Sequence, residues 1–124
     1  MADDEYHKLG TGEVFTLWSN AKVKSVFERA TEQDRATVRA VLKIIIRDGL
    51  DGVKNKEKWR FERRHASGNS KVGDVAVYVA KGFKLRVYIF QKGDHLYAPE
   101  ADIKKRDSAD PEKLESTANA RGRL

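Results

Sequence analysis

The chain has 124 residues, no cysteine, and a formal charge of +6 from 25 Lys and Arg against 19 Asp and Glu. That length supports one modest core, the missing cysteines exclude disulfides and thiolate zinc sites, and three histidines are too few for a histidine-rich metal centre. The basic balance favours a polyanionic partner, and no apolar run reaches the roughly 20 residues that a membrane-spanning helix needs.

The start, Met1-Ala2-Asp3-Asp4-Glu5, is acidic where a signal peptide is basic and then apolar, so a cytoplasmic location with no membrane partner is expected. Residues 1–12 mix charges with Gly10 and Gly12 and read as a flexible leader; residues 13–124 read as a single domain. Val14 to Trp18 is a short β-prone run. Ser19 and Asn20 can cap a helix over 21–30, in which Val23, Val26, Phe27 and Ala30 form one apolar stripe. Thr31 can cap a second helix, Glu32 and Asp34 suit its positive end, and Val38, Val41, Leu42 and Ile45 carry the stripe on until Gly49 stops it. These two helices read as a hairpin.

The segment from Leu50 to Lys58 is polar and reads as a connection. Strands are expected near 59–65, 72–80, 83–91 and 95–98, with turns at 67–70, 81–82 and 93–94. Pro99 should end the last strand or confine it to an edge, because proline has no amide hydrogen for a ladder. Pro111 suits the first turn of a terminal helix running to about Ala120. The order predicts an α+β fold: a helical hairpin on one face of an antiparallel sheet of four to five strands, a short N-terminal strand, and a short C-terminal helix.

Strict alternation sets Leu85, Val87 and Ile89 against the helices and turns Lys84, Arg86 and Tyr88 to an open face. Pairing Val75, Val77 and Val79 with the buried set adds Tyr78 to that face; burying Trp59 and Phe61 adds Arg60, Glu62 and Arg64. A face of cations and aromatic rings suits single-stranded RNA, whose phosphates pair with the cations while unstacked bases lie on the rings. Arg60, Lys84, Tyr78 and Tyr88 are the candidate RNA-binding residues.

RNA cleavage without a metal or cofactor needs a proton acceptor for the ribose 2′-hydroxyl, cations for the phosphorane and an acid for the leaving oxygen. Arg64 and Arg86 are candidates for gripping phosphate, since a guanidinium stays charged and can bind two oxygens. Lys104 and Lys105, in the Lys104-Lys105-Arg106 cluster, could act as the base or as point charges. A histidine side chain can exchange a proton near neutral pH, so His95 is a candidate acid or base. Each has a plainer reading as a solvated surface or turn residue. Glu62 reads as a charge partner for Arg60 and Arg64, and His65 as a packed strand-end residue.

In element order, in Phe61-Glu62-Arg63-Arg64, in Leu85-Arg86-Val87-Tyr88 and in the closing Lys104-Lys105, Pro111-Glu112, Ala118 and Arg121, the chain from about Val14 onward resembles the RelE/HigB-like toxins of bacterial toxin–antitoxin pairs, including phage-borne relatives. Arg63 stands where that family usually has an apolar residue, and Glu100 and Asp102 bring negative charge near the lysines. The resemblance implies a RelE-like fold and an endoribonuclease acting on mRNA, commonly on the ribosome. It also implies inhibition by a cognate antitoxin encoded next to it. The alternatives are a catalytically weak RNA- or protein-binding module of the same fold and a phage or mobile-element accessory protein.

Overall fold

The computed structural model describes residues 5–105 and 107–124; the first four leader residues and Arg106 of the basic cluster lie outside the described residues. Its elements run β1 (His7–Thr11), β2 (Thr16–Ser19), α1 (Ala21–Arg29), α2 (Glu32–Asp48), β3 (Trp59–Ala66), β4 (Asp74–Lys81), β5 (Leu85–Lys92), β6 (His95–Ile103) and α3 (Pro111–Arg123). The fold is α+β. The strands form one six-stranded sheet in the order β1-β2-β6-β5-β4-β3, with β2 parallel to β6 and the other pairs antiparallel. The expected four- to five-stranded antiparallel sheet is thereby corrected to six strands and mixed pairing. Part of the expected leader is a strand, since β1 pairs with β2 to make an N-terminal hairpin.

The helix boundaries follow their caps. Asn20 accepts a hydrogen bond from Val23 N at 2.9 Å, Thr31 from Asp34 N at 3.1 Å, and Gly49 closes α2 with φ 103°. Both helices pack on one sheet face through Val23, Val26, Val38, Val41, Leu42 and Ile45 against Leu85, Val87, Ile89 and Leu96. The opposite face is not open. There α3 lays Leu114, Ala118 and Ala120 over Val75, Val77, Val79, Tyr88 and Phe90, a second apolar core. The expectation of an exposed sheet face fails because β4 and β5 are apolar on both sides, as strands covered on both faces are.

Three registers differ from strict alternation. Val79 pairs with Tyr88 and Tyr78 with Ile89, so the valines of β4 share the α3 face with Tyr88. Tyr78 belongs to the helix-hairpin face, stacked on Trp59 with ring centroids 5.3 Å apart. In β3 the register shifts between Phe61 and Arg64, where Arg63 has φ 69°. This bulge turns Arg64 to the side of Tyr78 and Ala76, away from Arg60, while Phe61 is left 50% exposed. Pro99 does not end the last strand. It lies just past Ala98, the final partner of β2, at a shift in the β5–β6 pairing, and β6 continues to Ile103.

Gly122 is fixed by packing, because a Cβ there would sit 2.5 Å from the Ser67 carbonyl oxygen. The carboxylate of Asp34, in the first turn of α2, is buried and accepts hydrogen bonds from Phe83 N, Lys84 N and Leu85 N at 2.8, 2.9 and 3.1 Å. It thus pins the β4–β5 turn to the helical layer. Asp34→Ala would strip partners from these amides and should cost about 3 kcal/mol of unfolding free energy. Urea denaturation checks this; a loss of less than about 1 kcal/mol would contradict the assigned role.

Candidate nucleic-acid interface

The centre of the site is buried. Arg86 projects from β5 on the α3 face and is only 5% exposed. Its Nε donates to Asp102 Oδ1 at 3.0 Å, its Nη2 to Asp102 Oδ2 at 3.3 Å, and its Nη1 to the Ser108 carbonyl. Tyr88, fully buried, donates its hydroxyl to Asp102 Oδ2 at 3.1 Å and accepts from Asp110 N at 3.1 Å. Burial pushes the Tyr88 hydroxyl far above its usual range, with the nearby Asp102 charge adding to the rise against the Asp110 amide. Arg86 and Tyr88 are therefore structural at this position. They tie β5 and β6 to the segment that leads into α3, and neither is available as an exposed phosphate grip or stacking ring.

Around this pair the same end of the sheet gathers cations. Lys81, at the end of β4, is the cross-strand partner of Arg86. Arg60, on the α3 face of β3 opposite Val79, holds Glu62 at 3.1 Å. Lys84 begins the approach to β5, and its carbonyl accepts from Lys104 N at 2.7 Å, which brings the two lysine backbones side by side. The Lys104 ammonium lies 3.3 Å from Asp107, and Lys105 is exposed beside it. Arg60, Arg86 and Lys104 thus gather around Lys81, and Lys84 adjoins them through its backbone bond to Lys104.

Lys81 is the residue that the sequence reading missed. Half-buried at the middle of this group, it has its pKa lowered, first by burial and then by the charges of Arg60, Arg86 and Lys104, with Glu62 opposing. The sequence reading assigned it to the turn with Gly82, whereas β4 runs on to include it, one residue beyond the expected strand.

The remaining candidates lie elsewhere. Arg64, on the other face, donates to the Asp74 carbonyl at 3.1 Å. Tyr78 is half-buried in the aromatic group with Trp59 and Phe61, and burial raises its pKa despite the Arg64 charge. His95 starts β6 and Lys104 follows its end, so at about 3.3 Å per residue roughly 25–30 Å separates them. His95 Nδ1 accepts from Trp18 Nε1 at 3.0 Å, and its Nε2 lies 3.3 Å from Asp94. It belongs to the β2–β6 seam. His65 bonds the Glu62 carbonyl at 2.7 Å across the bulge.

Comparison with protein-family models, curated proteins and solved structures finds no match to this chain.

The buried pair makes a quantitative prediction. Arg86→Ala and Asp102→Ala should each lose about 3 kcal/mol or more, because each strands a buried charge. The double variant Arg86→Ala/Asp102→Ala should lose clearly less than their sum, with a coupling of about 1–3 kcal/mol. Denaturant curves for the four proteins check this, and additive losses would contradict it.

Proposed function

We propose that this chain is an RNA-binding endoribonuclease of the RelE/HigB-like kind, which inhibits translation by cutting single-stranded message and is restrained by a cognate antitoxin. One observation carries the reading: Arg60, Lys81 and Lys104 converge at one end of the sheet around the buried Arg86, with Lys84 joined to Lys104 by a backbone hydrogen bond. Arg60 and Lys81 sit in paired strands and Lys84 and Lys104 are joined by a backbone hydrogen bond, so the backbones that carry the cations are fixed before an anion arrives. Such preorganisation is what a phosphorane-stabilising site requires. The element order and the quoted motifs add the family resemblance.

In this reading Lys81 is the proton acceptor. Its pKa is lowered, so at any given pH it holds more neutral amine than an ordinary lysine does. The amine takes the proton of the ribose 2′-hydroxyl, the 2′-oxygen attacks the adjacent phosphorus, and the phosphorus–O5′ bond breaks. Lys104, whose ammonium lies 3.3 Å from Asp107, gives a proton to the departing 5′-oxygen. The products are a 2′,3′-cyclic phosphate and a 5′-hydroxyl. Arg60 and Lys84 hold the phosphate charge, while Arg86 acts as a positioning residue through Asp102 and the Ser108 carbonyl.

A second reading, RNA binding without cleavage, is favoured by the engagement of Arg86 with Asp102, which withholds the Arg86 guanidinium from a phosphate. Purified protein incubated with a short single-stranded RNA, followed by end-group analysis, separates the two. The enzyme reading predicts cyclic phosphate ends. It also predicts a rate that climbs with pH as neutral Lys81 accumulates and levels off at lower pH than an ordinary lysine would give. Lys81→Arg, which stays charged, should keep RNA affinity while losing about 100-fold or more in rate. Intact RNA with wild-type protein, on and off ribosomes, would leave the binder; full cleavage by Lys81→Arg would remove Lys81 from the chemistry.

A further inference from the structure

Beyond Ala98, β2 no longer covers β6, and the rim of the sheet is flanked by α1 on one side and α3 on the other. A cleft of about 600 Å³ lies there, floored by Ala21, Val26, Ala101 and Ile103. Four cations line it: Lys22 and Arg29 of α1, Lys105 after β6, and Lys113 of α3. The carboxylate of Asp102 also borders the cleft but is engaged by Arg86.

The cleft is built from behind. Glu100, 4% exposed, accepts from Lys22 Nζ at 2.8 Å, from Lys113 Nζ at 3.3 Å and from Ser116 Oγ at 2.7 Å. One buried carboxylate therefore anchors two ammonium groups that come from helices on opposite faces of the sheet. Burial pushes the Glu100 carboxyl up, but the hydrogen bonds from Lys22 and Ser116 and the charges of Lys22 and Lys113 outweigh it and leave the group below its usual range. Arg29 and Lys105 have no tie to Glu100 and add their charge at the mouth. An anion of phosphate type is the complement of such a site. Lys104 and Lys105 are consecutive, so the cleft adjoins the cationic end of the sheet directly.

We propose that this cleft is a second phosphodiester subsite. RNA held at Lys81, Lys84 and Lys104 continues past Lys105 over the rim between α1 and α3, with a neighbouring phosphate seated among Lys22, Arg29, Lys105 and Lys113. The inference rests on the RNA reading above and deepens it by giving the strand a path.

The test uses non-cleavable 2′-O-methyl oligouridylates of three and eight nucleotides, uridine 5′-monophosphate, and the full-length chain. The variants are wild type and Arg29→Gln/Lys105→Gln, whose residues leave the Glu100 cluster intact; unchanged melting temperatures establish that both proteins are folded. The double variant should bind the octamer about tenfold more weakly. Its salt slope should drop by roughly 0.7 units, for the one phosphate no longer neutralised on a single strand, while trimer affinity stays unchanged. An equal loss on trimer and octamer, or no loss on either, would overturn the subsite while leaving the RNA reading intact. Monophosphate binding as tight as the octamer, with the same sensitivity to the variant, would make the cleft a site for free phosphate esters and also overturn the path. Failure of the wild-type protein to bind either oligonucleotide would overturn the RNA reading and this proposal together.

Discussion

Everything at the cationic end of this molecule depends on the buried pair of Arg86 and Asp102. A guanidinium between two apolar layers is tolerated only when its donors and its charge are met, and here a carboxylate and the Ser108 carbonyl meet them. Because Asp102 also receives the Tyr88 hydroxyl, and Tyr88 in turn receives Asp110 N, the network reaches from the middle of β5 to the N-cap of α3. It decides the direction in which the chain leaves β6. It thereby seats α3 across the sheet and determines which cations stay outside.

The same logic recurs at two further carboxylates. Asp34 accepts three backbone amides of the β4–β5 turn, and Glu100 accepts two lysines and a serine between α1 and α3. Each acid is tied to a basic residue: Asp34 to the Lys84 amide, Asp102 to the Arg86 guanidinium, Glu100 to the Lys22 and Lys113 ammonium groups. Like charges held close repel one another, and an internal counter-charge in a low-dielectric setting offsets that repulsion better than the same acid in water. The arrangement leaves the outer surface positive while its foundation is neutralised. This is why Glu100 and Asp102, which in the sequence look like intrusions of negative charge beside the lysines, are part of the site's construction.

The helical layer was legible because its signals are local. Asn20, Thr31 and Gly49 cap and stop helices by their own chemistry, and the apolar spacing from Val23 to Ile45 has one period. The sheet was legible only in part. Leu85, Val87 and Ile89 do face the helices, yet Val75, Val77 and Val79 do not join them, because Ala76, Tyr78 and Ala80 are nearly as apolar and alternation cannot choose between two apolar faces. The bulge at Arg63 left no local mark, and a single inserted residue reverses every side chain after it. The pairing of β2 with the distant β6 is non-local and has no signature in either segment. The cover over the sheet was hidden for a similar reason: the apolar stripe of α3 is short, and Ala118 and Ala120 announce burial weakly. Arg86 and Tyr88 therefore read as surface residues, and Lys81, with no motif around it, was passed over.

The central claim is that RNA meets the end of the sheet where Arg60, Lys81, Lys84 and Lys104 converge. It is tested most directly by following the backbone amides of the isotopically labelled protein by NMR during titration with a non-cleavable single-stranded RNA. The account predicts saturable shifts concentrated at Arg60, Lys81, Gly82, Lys84, Lys104 and Lys105, with little change at Leu9, His95 and Tyr97 on the distant half of the sheet. Shifts centred on Trp18, His95 and Tyr97, or none at the lysines on saturation, would contradict it.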